Sequence, residues 1–160
     1  MPQVVLFQPQ IPPNTGNVAR TCAATGTELH LVEPLGFAID DRQLKRAGLD
    51  YWPLVSLQSH ASWGDLNSVR QNRGGRLVAL SSHSTDVYSD FCFEPDDWLL
   101  FGRETEGLPA ELIGQADCCL TIPMAQSRAV QAGGVRSLNL SVAVGVVLFE
   151  AIRQLGNRSA

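Results

Sequence analysis

Lysine is nearly missing from this sequence: Lys45 stands alone, and the other eleven basic residues are arginines. No apolar run approaches the ~20 residues of a membrane-spanning helix. Cys22, Cys92, Cys118 and Cys119 have neither the spacing of a zinc site nor that of a secreted disulfide framework, and His30, His60 and His83 have no ligand spacing. No metal centre is therefore expected. There is no G-x-G-x-x-G, which argues against an ordinary dinucleotide fold, and no G-x-S-x-G with an obvious histidine partner, which argues against a serine hydrolase. The opening Met-Pro-Gln-Val-Val-Leu-Phe lacks a basic region and a signal-peptide layout. The expected setting is a reducing cytoplasm.

The 160 residues, 44% hydrophobic and 18% charged, have the balance of a soluble globular protein and suffice for one domain, 1–160, with a core. Net charge is −4, which predicts no broad basic face. The charge is unevenly spread. Residues 86–106 carry seven acids and the single base Arg103, a net of −6, which leaves the remainder at +2. Arginine suits planar phosphate contacts, so RNA remains open as a partner, although a biased genomic base composition would also enrich it.

Strand and helix signals alternate. Strands are expected at Val4–Phe7, Glu28–Val32, Arg76–Leu80, Trp98–Gly102 and Cys118–Ile122. Helices are expected from Asn14 or Thr15 to about Thr25, from Asp40 or Asp41 to near Gly48, over Ala61–Arg70 and over Pro109–Gln115. Adjacent Cys118 and Cys119 fall on opposite faces of their strand. Val142–Phe149 has strand propensity, but Leu138 to Gln154 is too long for a strand, and Gly156 reads as a stop. An almost wholly apolar helix there must be covered on several sides, by the sheet or by a second subunit. The fold class is α/β: a mostly parallel sheet with helices on both sides.

Three segments carry polar groups at the mouths of apolar elements. They are Pro9–Cys22 with Pro12-Pro13-Asn14-Thr15-Gly16-Asn17, Phe101-Gly102-Arg103-Glu104-Thr105-Glu106-Gly107-Leu108-Pro109, and Ile122–Glu150 with Arg136-Ser137-Leu138-Asn139-Leu140-Ser141. The second has the Gly-x4-Gly of a phosphate loop but continues Leu-Pro instead of Lys-Ser/Thr, so the Walker reading fails. In order and setting the three segments resemble the motifs of the SPOUT RNA methyltransferases. Within the SpoU branch the chain is most similar to the small tRNA wobble 2′-O-methyltransferases, from about Val4 to Gln154.

That resemblance implies a C-terminal trefoil knot, a homodimer with a two-subunit site, and S-adenosylmethionine as methyl donor, leaving S-adenosylhomocysteine. By position it implies a cofactor pocket of Leu80, Gly102, Ile122, Met124, Ser137 and Leu138. It implies Arg20, Glu104, Ser137 and Asn139 as active-site residues. Taken singly, these four read as an exposed helix arginine, a turn carboxylate, a helix cap and a first-turn residue. Leu44–Trp52 also resembles this branch. Lys45, Arg46 and Arg136 are candidate RNA contacts, and Tyr51 and Trp52 candidate stacking residues. In plainer terms Leu44–Trp52 reads as a charged helix end followed by core aromatics.

The departures are Glu106 where the family usually has a base, Arg103 where it has a smaller residue or proline, Val142 where it often has Asn, and a long Ala125–Val135 segment. The implied reaction is 2′-O-methylation of the wobble nucleotide, position 34, in a tRNA anticodon loop, with leucine tRNAs as the first candidates. Methylation of ribosomal RNA or another tRNA position is the same-class alternative. A non-catalytic RNA-binding module is the different-class one. A guanidinium keeps its proton to above about pH 12, so Arg20 reads as orienting the ribose and stabilising charge more readily than as a base.

Overall fold

Short apolar strands set the architecture. In the computed structural model, which describes residues 1–40, 42–47, 51–125 and 135–158, six strands form one parallel sheet: β1 (Gln3–Phe7), β2 (Leu29–Val32), β3 (Leu57–His60), β4 (Leu77–Leu80), β5 (Trp98–Phe101) and β6 (Cys118–Leu120). The spatial order is β3-β2-β1-β5-β4-β6. Val-Val-Leu-Phe, Leu-Val-Ala-Leu and Trp-Leu-Leu-Phe are apolar on both sides, as parallel strands buried on both faces require.

Alternation along each strand feeds two cores. Val4, Leu6, Val78, Leu99 and Phe101 pack against helices α1 (Pro12–Thr25) and α5 (Leu140–Arg158). Val5, Phe7, Leu77, Trp98 and Leu100 pack beneath α3 (Trp63–Arg73) and α4 (Ala110–Gln115) through Leu66 and Leu112. Helix α2 (Arg42–Ala47) lies against α1 and buries Leu44. The expected parallel sheet with helices on both faces is what forms. Cys118 faces the first core and Cys119 the second, both unpaired.

Several boundaries differ from expectation. Helix α1 starts at Pro12, with Ile11 as N-cap, so Asn14 and Thr15 lie inside the first turn and are buried. Proline at that position gives up no needed N–H. β3 was not expected; Leu-Gln-Ser-His has neither alternation nor a β-branched residue. Helix α3 starts at Trp63, where Ser62 Oγ accepts from Asp65 N at 3.2 Å, and continues to Arg73. Helix α5 begins at Leu140 and passes through Gly156 to Arg158, so Gly156 is not its stop. Of the two expected starts of α2, Asp40 lies in a turn before the helix and Asp41 lies outside the described residues, as do the expected Gly48 end, the Lys45 side chain and residues 126–134 of the long segment. No described helix is long and apolar enough to cross a membrane.

Strand order reverses between β1 and β5: the chain fills one side with β2 and β3, then crosses to build β4 to β6. In open parallel sheets that switch point opens a crevice at the C-terminal strand ends. Here it is framed by the ends of β4, β5 and β6 and by the N-termini of α1 and α5.

Candidate active site

The crevice has a volume of about 810 Å³. Leu80, Gly102, Ile122, Met124, Ser137 and Leu138 all line it, although they come from four separated segments. Leu80 and Leu120 are the last residues of β4 and β6, and Gly102 directly follows β5. Glu104, Arg136 and Asn139 line it too.

The loop after β5 is a tight turn closed on itself by backbone hydrogen bonds. Arg103 N donates to Gly107 O at 3.2 Å, and Gly107 N to Arg103 O at 2.9 Å. Gly107 has φ 68°, and a Cβ on Gly102 would sit 2.3 Å from the Gly107 carbonyl carbon. The two glycines thus permit a tight turn and a close backbone approach.

Side chains of this loop reach across to the end of β1 and the start of α1. Glu104 Oε2 accepts from Gln10 N at 2.9 Å, and its Oε1 accepts from Ile11 N at 3.0 Å and Asn14 Nδ2 at 3.4 Å. Thr105 Oγ1 donates to Gln10 Oε1 at 2.9 Å. Since Ile11 has no side-chain cap of its own, Glu104 caps α1 from 93 positions away, where a carboxylate also complements the helix dipole. Asn139 caps α5: its Oδ1 accepts from Ser141 N at 2.9 Å and Ser141 Oγ at 2.7 Å. Both Glu104 and Asn139 therefore spend their polar atoms on the frame of the crevice. Ser137 is exposed at its edge and makes no comparable cap.

Arg20 is placed elsewhere. It is exposed on α1, outside the crevice of its own chain, with its guanidinium 4.8 Å above the Tyr51 ring. Arg46 is exposed on α2. Trp52 is half-buried and packs against the core, whereas Tyr51 is exposed. The expected residues thus form two groups: a crevice group with Arg136, and a surface group of Arg20, Arg46 and Tyr51. Sequence reasoning missed Gln10 and Asn14 as site residues. The only signal was their place in the first motif. Among the described residues no three His, Cys, Asp or Glu side chains gather as metal ligands. Burial pushes the Cys22 thiol up to about 12 and Cys118 to about 11, so neither supplies a thiolate near neutral pH.

With this geometry in view, the sequence profile described as the SpoU rRNA Methylase family matches residues 1–149. The chain belongs to the SpoU family. One SpoU relative, a tRNA (cytidine(34)-2′-O)-methyltransferase from Polaromonas, is 49% identical over 96% of this chain and 90% of its own length. A solved structure described as giving insights into the 2-OH methylation of C/U34 on tRNA is 48% identical. It covers 98% of this chain and 97% of that one, with a TM-score of 0.89. The SpoU methyltransferase AviRb from Streptomyces viridochromogenes, solved in complex with the cofactor AdoMet, is 26% identical. It covers 98% of this chain and 61% of that one, with a TM-score of 0.85.

Proposed function

We propose that this chain methylates the ribose 2′-oxygen of nucleotide 34 in a tRNA anticodon loop, using S-adenosylmethionine. The observation that carries the reading is the convergence of Leu80, Gly102, Ile122, Met124, Ser137 and Leu138 on one crevice in a SpoU chain. The SpoU description names ribosomal RNA, whereas the relatives at 48–49% identity are named for nucleotide 34 of tRNA. The nearer relatives favour nucleotide 34 of tRNA, and the proposal adds leucine tRNAs as the first isoacceptors and the cytoplasm as the setting.

The crevice suits the cofactor. Its volume is in the range of small-molecule sites, its walls are apolar at Leu80, Ile122 and Leu138, and backbone polar groups stand at three strand ends. The bound cofactor supplies an activated methyl group. The chain's own residues supply position: the Gly102–Gly107 turn shapes one wall, and Glu104 and Asn139 fix the two helix N-termini. A well-oriented pair of reactants gains up to ~7–11 kcal/mol over free encounter. Arg20 orients the ribose and stabilises negative charge on its oxygen.

Arg20 stands outside its own crevice, so the functional unit in this reading is a C2 homodimer in which a second copy brings Arg20 to the site. Val142 and Phe149, seven positions apart on one face of α5, are 50% and 55% exposed and supply the apolar contact. The trefoil knot belongs to this reading through the family resemblance alone. The test is calorimetry with S-adenosylhomocysteine, followed by transfer of labelled methyl to bulk tRNA and to ribosomal RNA. Binding with label in tRNA is expected. No binding, with or without RNA, would overturn the reading.

A further inference from the structure

Gln8 has φ 48°, the left-handed region, and among the described residues it is the only one other than glycine to do so. It follows β1 at the C-terminal edge of the sheet, where the site opens. A residue with a side chain resists that backbone, and such outliers cluster where function fixes them. Gln8 N donates to Val32 O at 2.9 Å, and its Nε2 faces the Glu33 carbonyl at 3.4 Å. This turns Oε1 toward Arg103, whose Nη2 donates to it. The Arg103 guanidinium also lies 5.0 Å from the Phe7 ring centroid, and its Nη1 donates to Glu106 at 3.0 Å.

Three partners thus hold one long side chain at the crevice wall. A structural role explains this poorly. Glu106 is 66% exposed, and exposed ion pairs add little stability. The charge distribution gives a better reason. Of the acids in residues 86–106 only Glu104 and Glu106 line the crevice, where Arg103 and Arg136 are the bases. On the wall made by the loop after β5, Glu104 is spent on the N-terminus of α1, and Arg103 is the base of that loop that can meet a phosphodiester. A guanidinium has five N–H donors, and Gln8 and Glu106 use two.

We propose that Arg103 contacts a backbone phosphate of the RNA substrate, that Gln8 is a positioning residue that holds it there, and that Glu106 weakens the contact by occupying one edge of the guanidinium. The inference rests on the tRNA methyltransferase reading. Phosphate contacts set register without reading sequence, so its effect falls on affinity and not on base choice. Glu106, being exposed, yields its place by a side-chain rotation alone.

The experiment uses the full chain and an unmodified tRNA transcript, measuring binding against salt, steady-state kinetics and calorimetry with S-adenosylhomocysteine. Arg103→Ala should raise KM for tRNA about fivefold and make the log–log salt slope shallower by about 0.7–1, the loss of one phosphate contact. It should leave kcat and S-adenosylhomocysteine affinity near wild type. Arg103→Lys should restore the slope but only part of KM, since the charge returns without the planar fork. Glu106→Gln should tighten tRNA binding. Gln8→Ala should weaken it, but not when Arg103 is already alanine. An unchanged KM and slope in folded Arg103→Ala overturns the inference while leaving the methyltransferase reading intact. Joint loss of S-adenosylhomocysteine and tRNA binding would show a loop-structural role and overturns it too. A wild-type chain that binds S-adenosylhomocysteine but neither binds nor methylates tRNA removes the reading and the inference with it.

Discussion

Asn139 and Asn14 are 125 positions apart in the chain, yet Asn139 Nδ2 donates to Asn14 Oδ1 at 2.9 Å. The bond ties the N-terminus of α5 to the first turn of α1, and Glu104 closes the arrangement from the third side. Glu104→Ala leaves the Gln10 and Ile11 amides without their acceptor. The expected cost is about 0.5–2 kcal/mol, the loss of a helix N-cap. Urea unfolding measures it. Wild-type stability together with lost turnover would instead place Glu104 in the chemistry.

Gly102→Ala should be more damaging to the site than to the fold. The added Cβ would lie 2.3 Å from Gly107 C and 2.4 Å from Leu108 N, both backbone atoms that cannot rotate away. The turn must open. Calorimetry should show S-adenosylhomocysteine binding reduced by at least about tenfold, a change of ~1.4 kcal/mol, in a protein whose circular dichroism is retained. Unchanged affinity would remove the turn from the cofactor wall.

The second core should respond to acid. His30 Nδ1 and His60 Nε2 are 2.9 Å apart, and His30 Nε2 is 2.9 Å from Gln3 Oε1, with Glu28, Arg73 and Asp65 as the neighbouring charges. Gln3 Oε1 accepts, so His30 Nε2 carries the hydrogen and His30 Nδ1 accepts from His60. Burial is the largest influence on His30, pushing it down to about 4 from 6.5, and it lowers His60 as well. Between pH 6.5 and 4 the unfolded chain therefore binds a proton that the folded chain refuses. Stability is full above about pH 6.5 and falls toward pH 4, by up to ~1.4 kcal/mol per pH unit for each proton. Unfolding midpoints across this range should flatten in His30→Gln; an equal slope in that variant would contradict the assignment.

Arg20 and the α5 face make a joint prediction about assembly. Light scattering should give twice the 17.3 kDa chain mass, and Phe149→Lys should reduce it. Arg20→Ala should cut turnover by at least about a hundredfold, ~2.7 kcal/mol of barrier, with S-adenosylhomocysteine affinity unchanged. Mixing Arg20→Ala with a cofactor-deficient Gly102 variant should restore activity, because a mixed dimer then holds one crevice served by an intact Arg20. A lack of rescue in verified mixed dimers would place Arg20 in the crevice of its own chain.

Much of this was legible in the sequence, for identifiable reasons. β1, β4 and β5 are short, apolar and bounded by turns, so their strand character follows from composition. The convergence of Leu80, Gly102, Ile122 and Leu138 was legible only through motif order, since no local pattern says that four loops share a crevice. Helix α1 was placed late because its cap comes from Glu104, a tertiary contact invisible to a search for local Ser, Thr, Asp or Asn. β3 was missed because Leu57–His60 is specified by pairing with β2 and by the His30–His60 bond, and not by its own propensity. The positions of Arg20 over Tyr51 and of Trp52 against the core depend on how α1 and the residue 51–55 turn meet, which hydropathy does not encode.

The most direct measurement is the chemical address of the transferred methyl. Purified chain, labelled S-adenosylmethionine and transcripts of leucine tRNAs are incubated together, the RNA is digested, and the labelled nucleotide is located by mass spectrometry. The result predicted is one methyl on the ribose 2′-oxygen of nucleotide 34. Methyl found only in ribosomal RNA, or on a base at any position, would contradict the proposed function.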